Sequence, residues 1–183
     1  MDGTIYLGDR LFDGVNEFFA NLNANSIKYA FITNNSSKGV DDYLKKIKNF
    51  GISVERQNFY TSVDASIKIL KEKFNDGLIY AQGTTSFIQN LVDGGLNVTT
   101  EYNDLAVCVL VGFDTELNFE KLTTTCKMLK KDIPYYATNP DWVCPTEFGY
   151  VPDCGSMCFG LEKATSKKPV FIGKPNGFMI ERA

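Results

Sequence analysis

The 183 residues contain no histidine. That absence removes the Ser-His-Asp triad, the Cys-His pair and every zinc site built on imidazole. Acid–base chemistry near neutral pH then falls to carboxylates, lysine, tyrosine or cysteine. No apolar run approaches the roughly 18 residues that cross a bilayer, and no secretory leader pattern opens the chain. Basic residues number 19 against 22 acidic ones, a net charge of −3. Such a balance gives no electrostatic footprint for nucleic acid or an anionic membrane. The five cysteines, Cys108, Cys126, Cys144, Cys154 and Cys158, include no C-x-x-C pair. There is no G-x-G-x-x-G, no G-x-x-x-x-G-K-[ST], no repeat and no low-complexity tract. Together these absences predict a reduced, cytoplasmic protein without a nucleic-acid or membrane partner.

What is present alternates. Short apolar runs at 29–33, 107–113 ("VCVLVGF"), 134–138 and 169–172 read as strands, the second as one buried on both faces. Apolar residues at helical spacing fill 15–25, 40–50, 62–73, 85–92, 119–131 and 157–165 between them. The alternation predicts an α/β fold with a mainly parallel sheet. No linker divides the chain, so a second domain has to be an insertion, with hinges at 75–77 and 165–168.

Ligands of such sheets collect at the carboxyl ends of strands. Three polar clusters stand at those ends: Asp2-Gly3-Thr4, Thr33-Asn34-Asn35-Ser36 and Gly173-Lys174-Pro175. Each alone is ordinary, as a turn, a helix cap and a solvated charge. Carried by one shared sheet they converge, and a carboxylate, hydroxyl and amide groups, an ammonium and nearby helix N-termini suit a phosphate.

In order and content these clusters resemble the haloacid dehalogenase (HAD) superfamily of phosphatases, in its p-nitrophenylphosphatase-like branch with a large inserted cap. "MDGT" matches the end of its first motif, D-x-D-G-T; "YLGDRLFDG" matches the flap, "FITNNSS" the second motif and "IGKP" the third. "GFDTELNFEKL", "ATNPD" and "CPTEFGYVPDCGSM" are typical of the branch's insertion. The resemblance implies a Rossmann-like core over 1–77 and 169–183 and an α/β cap over 78–168. It further implies a Mg2+-dependent hydrolase of small phosphorylated metabolites, whether sugar phosphates, nucleotides or aryl phosphates, working through an aspartyl-phosphate. Asp2 would be the general acid and base, its carbonyl a Mg2+ ligand. Thr33, Asn34 (amide or main-chain N–H) and Lys174 would hold the phosphoryl group. On the cap, Asn139, Asp141 and Trp142 would meet the leaving group, with core packing the other reading of Trp142. Gly155 and Ser156 would offer free N–H groups at a helix start.

The nucleophilic Asp of the first motif falls one position before Met1, and the fourth motif, G-D-x-x-x-T-D, has no counterpart. The sequence therefore reads as truncated at both ends, inactive alone, with the core open at Phe31 and Phe171. A non-catalytic protein that keeps the cap and binds phosphorylated metabolites is the alternative, and a homo-oligomer is compatible with either.

Overall fold

The computed structural model describes residues 1–179. β1 (Tyr6–Leu7) and β2 (Arg10–Leu11) form a small antiparallel hairpin, the flap. After α1 (Val15–Ala24), β3 (Phe31–Thr33), α2 (Val40–Asn49) and β4 (Phe59–Thr61) complete the first body. β3 and β4 pair in parallel, with Thr33 opposite Thr61. Their apolar face is built from rings: Phe31 stacks on Phe59 at 4.9 Å between centroids, with Phe19 of α1 at 5.5 Å. Stacked and tilted pairs at this spacing add to the area they bury. Phe31 is thus only 6% exposed, so the face expected to lie open there is covered by α1.

α3 (Ser62–Phe74) leads to the larger sheet. Its elements are β5 (Ile79–Gln82), α4 (Thr85–Asp93), β6 (Val98–Thr99), β7 (Cys108–Val111), α5 (Phe119–Leu129), β8 (Tyr135–Ala137), the hairpin β9 (Val143–Thr146) with β10 (Gly149–Pro152), α6 (Cys154–Thr165) and β11 (Val170–Phe171). Five strands pair in the order β11-β8-β7-β5-β6, all parallel. The uninterrupted apolar run of β7 follows from its place: successive side chains point to opposite faces, and both faces are covered. Cys108 and Leu110 join Ile79, Ala81 and Tyr136 beneath α3 and α4. Val109 and Val111 join Tyr80, Tyr135 and Ala137 beneath α5 and α6. Phe87, Leu91 and Leu110 are fully buried, and each such side chain contributes about 1.5–3 kcal/mol by leaving water.

The expected boundaries at 77/78 and 168/169 cut through this packing. α3 places Val63, Ile69 and Leu70 in the same cluster as Ile79 and Leu110, and β11 pairs Phe171 with Ala137 of β8. α6 also starts three residues earlier than its apolar spacing predicts, because Asp153 caps it by accepting the Cys154 N–H at 2.6 Å.

Candidate active site

Asp2, Thr33 and Lys174 do not hang from one sheet, contrary to expectation. β3 of the two-stranded sheet delivers Thr33, β11 of the five-stranded sheet delivers Lys174, and Asp2 is tied to the flap by a β-bridge to Tyr6. Thr33 and Lys174 come to the same place because the loop 33–37 crosses from the end of β3 onto the carboxyl edge of the large sheet, where Asn34 binds the Lys174 backbone. Ser36, fully buried, hydrogen-bonds Thr138 through its hydroxyl at 2.9 Å and accepts the Phe113 N–H at 2.8 Å. Thr84 donates to the Ser37 carbonyl at 2.9 Å. Neither serine caps α2; Gly39 stands there, its N–H held by the Asp42 carboxylate.

Asn34 is the knot of this seam. Its amide nitrogen donates to Asp141 Oδ2 at 3.0 Å and to the Lys174 carbonyl at 3.1 Å, and its Oδ1 accepts the Lys174 N–H at 2.8 Å. Its carbonyl accepts from Ser62 Oγ and from Asn139 Nδ2, both at 2.7 Å. The side-chain amide is therefore spent on the chain's own bonds. Of the two Asn34 groups expected at a phosphate, only the main-chain N–H stays in the proposal. Lys174 reaches back with its Nζ 3.2 Å from the Ile32 carbonyl, which holds the ammonium at the end of β3.

The cap residues divide. Asp141 meets Asn34 directly, whereas Asn139 is fully buried and acts by bracing Asn34 and the Asp141 N–H. Trp142 is 59% exposed, edge-on to Phe159, and so is not core. Gly155 and Ser156 do not offer free N–H groups: they donate to the Asp141 and Asp153 carbonyls at 2.8 and 3.0 Å. Gly155 is glycine because α6 lies against the 140–141 backbone, and a Cβ there would run into the Pro140 carbonyl.

A cleft of about 400 Å³ opens between the flap and α2. Of the foreseen residues only Asp2 lines it; Tyr6, Asn35, Ser37, Lys38, Tyr43 and Ser86 are among its other walls. "NNSSK" immediately after a strand was the available signal for Asn35 and Lys38, while the tyrosines carried none. Tyr6 and Asp2 line the cleft together, and the Tyr43 hydroxyl donates to the Asn35 carbonyl at 3.5 Å. Burial first, then the Asp2 charge, push both phenols well above their ordinary range, so both stay protonated donors.

The β9–β10 hairpin roofs the Asp2 turn. At Gly3, where φ is +70°, a Cβ would stand 3.3 Å from Pro145. Burial, then the charges of Asp153, Asp2 and Asp141, push the Cys144 thiol up to about 11, so it stays a neutral thiol. Burial likewise raises Asp153 to about 6, against its hydrogen bond from Cys154 N–H, and Asp141 and Asp2 add to the rise. Three carboxylates thus crowd one side of the seam, with Lys174 and Lys38 as the neighbouring cations. Among the described residues no three His, Cys, Asp or Glu side chains stand close enough to share a metal ion.

A carboxylate at a cleft mouth, backed by tyrosine hydroxyls and faced by a hydroxyl and ammoniums, is equipped for proton transfer beside an anion. Residues 1–97 match the profile of the haloacid dehalogenase-like hydrolases. Over its whole length the chain is 31% identical to the 5'-nucleotidase YutF of Bacillus subtilis, covering 70% of that protein. It is 30% identical to the acid sugar phosphatase of Staphylococcus haemolyticus, covering 69%. In structure, 99% of the chain superposes on 69% of the 4-nitrophenylphosphatase of Thermotoga maritima, with a TM-score of 0.91 at 35% identity. All of it matches 69% of the p-nitrophenyl phosphatase of Archaeoglobus fulgidus, with a TM-score of 0.89 at 27% identity. The chain belongs to the haloacid dehalogenase-like hydrolases, in their p-nitrophenylphosphatase-like branch of phosphatases. No helix among the described residues is long and apolar enough to cross a membrane.

Proposed function

We propose that the chain carries the acid–base and substrate-enclosing part of a phosphatase for small phosphate monoesters, sugar phosphates, nucleotides or aryl phosphates. What supports this reading is that Lys174 Nζ stands 3.2 Å from the Ile32 carbonyl, next to Thr33, and that Asp2 lines a cleft which Asn35 and Ser37 of the same loop also line. Asp2 protonates the leaving oxygen and then takes the proton of the attacking water. Thr33 Oγ and the Asn34 N–H donate to phosphoryl oxygens, and Lys174 offsets the charge spread over them. Asp141 fixes Asn34, and the β9–β10 hairpin keeps bulk water from Asp2.

The attacking carboxylate of the aspartyl-phosphate route is assigned by resemblance to the first Asp of D-x-D-G-T; the other seam carboxylates, Asp141 and Asp153, are engaged by the Asn34 amide and the Cys154 N–H. We therefore infer that the 183-residue polypeptide alone does not turn over. Magnesium is the cofactor that the resemblance implies. The chain's contribution to its site is the Asp2 carbonyl, and among the described residues no acidic cluster completes one. A cytoplasmic location, a lone metabolite as partner and self-association remain expectations of the same reading.

The test compares the 183-residue chain with a chain extended at both ends by the corresponding segments of the Bacillus relative, using p-nitrophenyl phosphate with and without EDTA. Turnover should appear in the extended chain only, stop with EDTA and fall at least about 100-fold in Asp2→Asn. Equal rates for the short chain and its Asp2→Asn variant, at the level of the extended chain, would refute the reading. Phosphate binding with no turnover by either chain would favour a binding protein.

A further inference from the structure

We propose that Tyr6 is the positioning residue for Asp2: a phenol fixed between flap and α2 whose hydroxyl aims the carboxylate into the cleft. This rests on the proposed acid–base role of Asp2 and extends it to a residue to which no role has been assigned. Tyr6 is 1% exposed and lines the cleft beside Asp2. The β-bridge between Asp2 and Tyr6 sets the two residues side by side, and the Gly3 N–H donates to the Tyr6 carbonyl at 2.9 Å.

The ring cannot swing away. Lys46 of α2 places its ammonium 4.4 Å from the ring centroid, and Phe50, just past α2, packs at 5.5 Å from the other ring. Lys46 also pairs with Asp9 at 3.4 Å, in the turn between β1 and β2. The same lysine therefore grips the flap twice, at its tip and at its aromatic base. A surface ion pair of this kind is weak alone; a cation over a ring adds a second contact to it. The consequence is an aimed hydrogen bond. In this proposal the phenol, which stays protonated, donates to one Asp2 carboxylate oxygen and leaves the other for the cleft.

General-acid help is worth most when the leaving group is a poor one. The assay is kcat/KM on phenyl phosphate and p-nitrophenyl phosphate, esters of nearly the same shape whose leaving groups differ in basicity. In the extended chain, Tyr6→Phe should lower the rate on phenyl phosphate about tenfold more than on p-nitrophenyl phosphate. Asp2→Asn should show the same selectivity more strongly. Leu11→Ala, at the residue paired with Tyr6 in the flap, should depress both esters by one factor. Tyr6→Phe lowering both esters equally overturns the positioning role. Absence of selectivity in Asp2→Asn would instead remove the acid role on which it builds. The contact itself is read in the 183-residue chain without turnover: the 13C signal of the hydroxyl-bearing Tyr6 carbon should move in Asp2→Asn, and an unmoved signal overturns the proposal.

Discussion

Replacing Asn34 with alanine removes three side-chain hydrogen bonds at once. The bond to the Asp141 carboxylate is charge-assisted, worth about 1.5–3 kcal/mol, and the two to the Lys174 backbone are worth about 1 kcal/mol each. Asp141 and Lys174 are half-buried, so water recovers part of the loss, and the net cost should be about 2–4 kcal/mol. For a chain of this length that lowers the melting temperature by about 5–15 °C. Urea unfolding at pH 7, followed by far-UV circular dichroism, measures it. Asn34→Asp sharpens the test, because the isosteric carboxylate loses both donors and faces Asp141 with like charge. It should be less stable than Asn34→Ala at pH 7 and approach it in acid, where the new carboxylate protonates. A cost below about 1 kcal/mol for Asn34→Ala would refute the view that this side chain ties the two sheets together.

Asp153 gives a pH signature. Its folded-state value, about 6, lies above the ordinary carboxylate range. The native state thus holds this proton more tightly than the unfolded chain, and stability falls as pH rises from about 4 to about 6. With allowance for solvent screening the fall is about 1–2 kcal/mol. Asparagine caps a helix as well as aspartate does, so Asp153→Asn should keep α6 and lack this decline in a series of denaturant melts. An identical slope in both proteins would contradict it. Two glycines of α6 should respond oppositely to alanine. Gly155→Ala should cost about 1–3 kcal/mol by driving α6 off the Pro140 backbone. Gly160→Ala, with open space around its Cβ, should gain about 0.5–1 kcal/mol in the same thermal melts.

The sequence revealed the helices and the long buried strand because their signals are local. "VCVLVGF" needs both faces covered wherever it lies, and α1 to α5 begin within a residue of their apolar spacing. The start of α6 was missed because Cys-Gly-Ser is a poor helical opening by propensity. What fixes it is Asp153 as cap and the close approach at Gly155, which is tertiary. β4 and β5, three and four residues long, were missed although β3 and β8 are no longer, so length alone does not explain it. At the site, the three motifs were legible in order, but not the separate strand pairings that carry them. Strand pairing is non-local, and nothing in "PVFIGKP" distinguishes an edge on β8 from an edge on β3. Asn34 looked like a ligand for the same reason: its partners Asp141 and Lys174 lie more than 100 positions away.

The loop at 33–37 lies on the carboxyl edge of the five-stranded sheet, the side where open parallel sheets ordinarily receive their own small molecules. There Thr84, Phe113, Thr138 and Asn139 are already occupied by a neighbour from the same polypeptide. The larger sheet is in that sense a receptor whose guest is permanently attached. Drift at those four positions cannot be explored as a change of ligand taste, since each change first loosens the join between the two halves of the molecule.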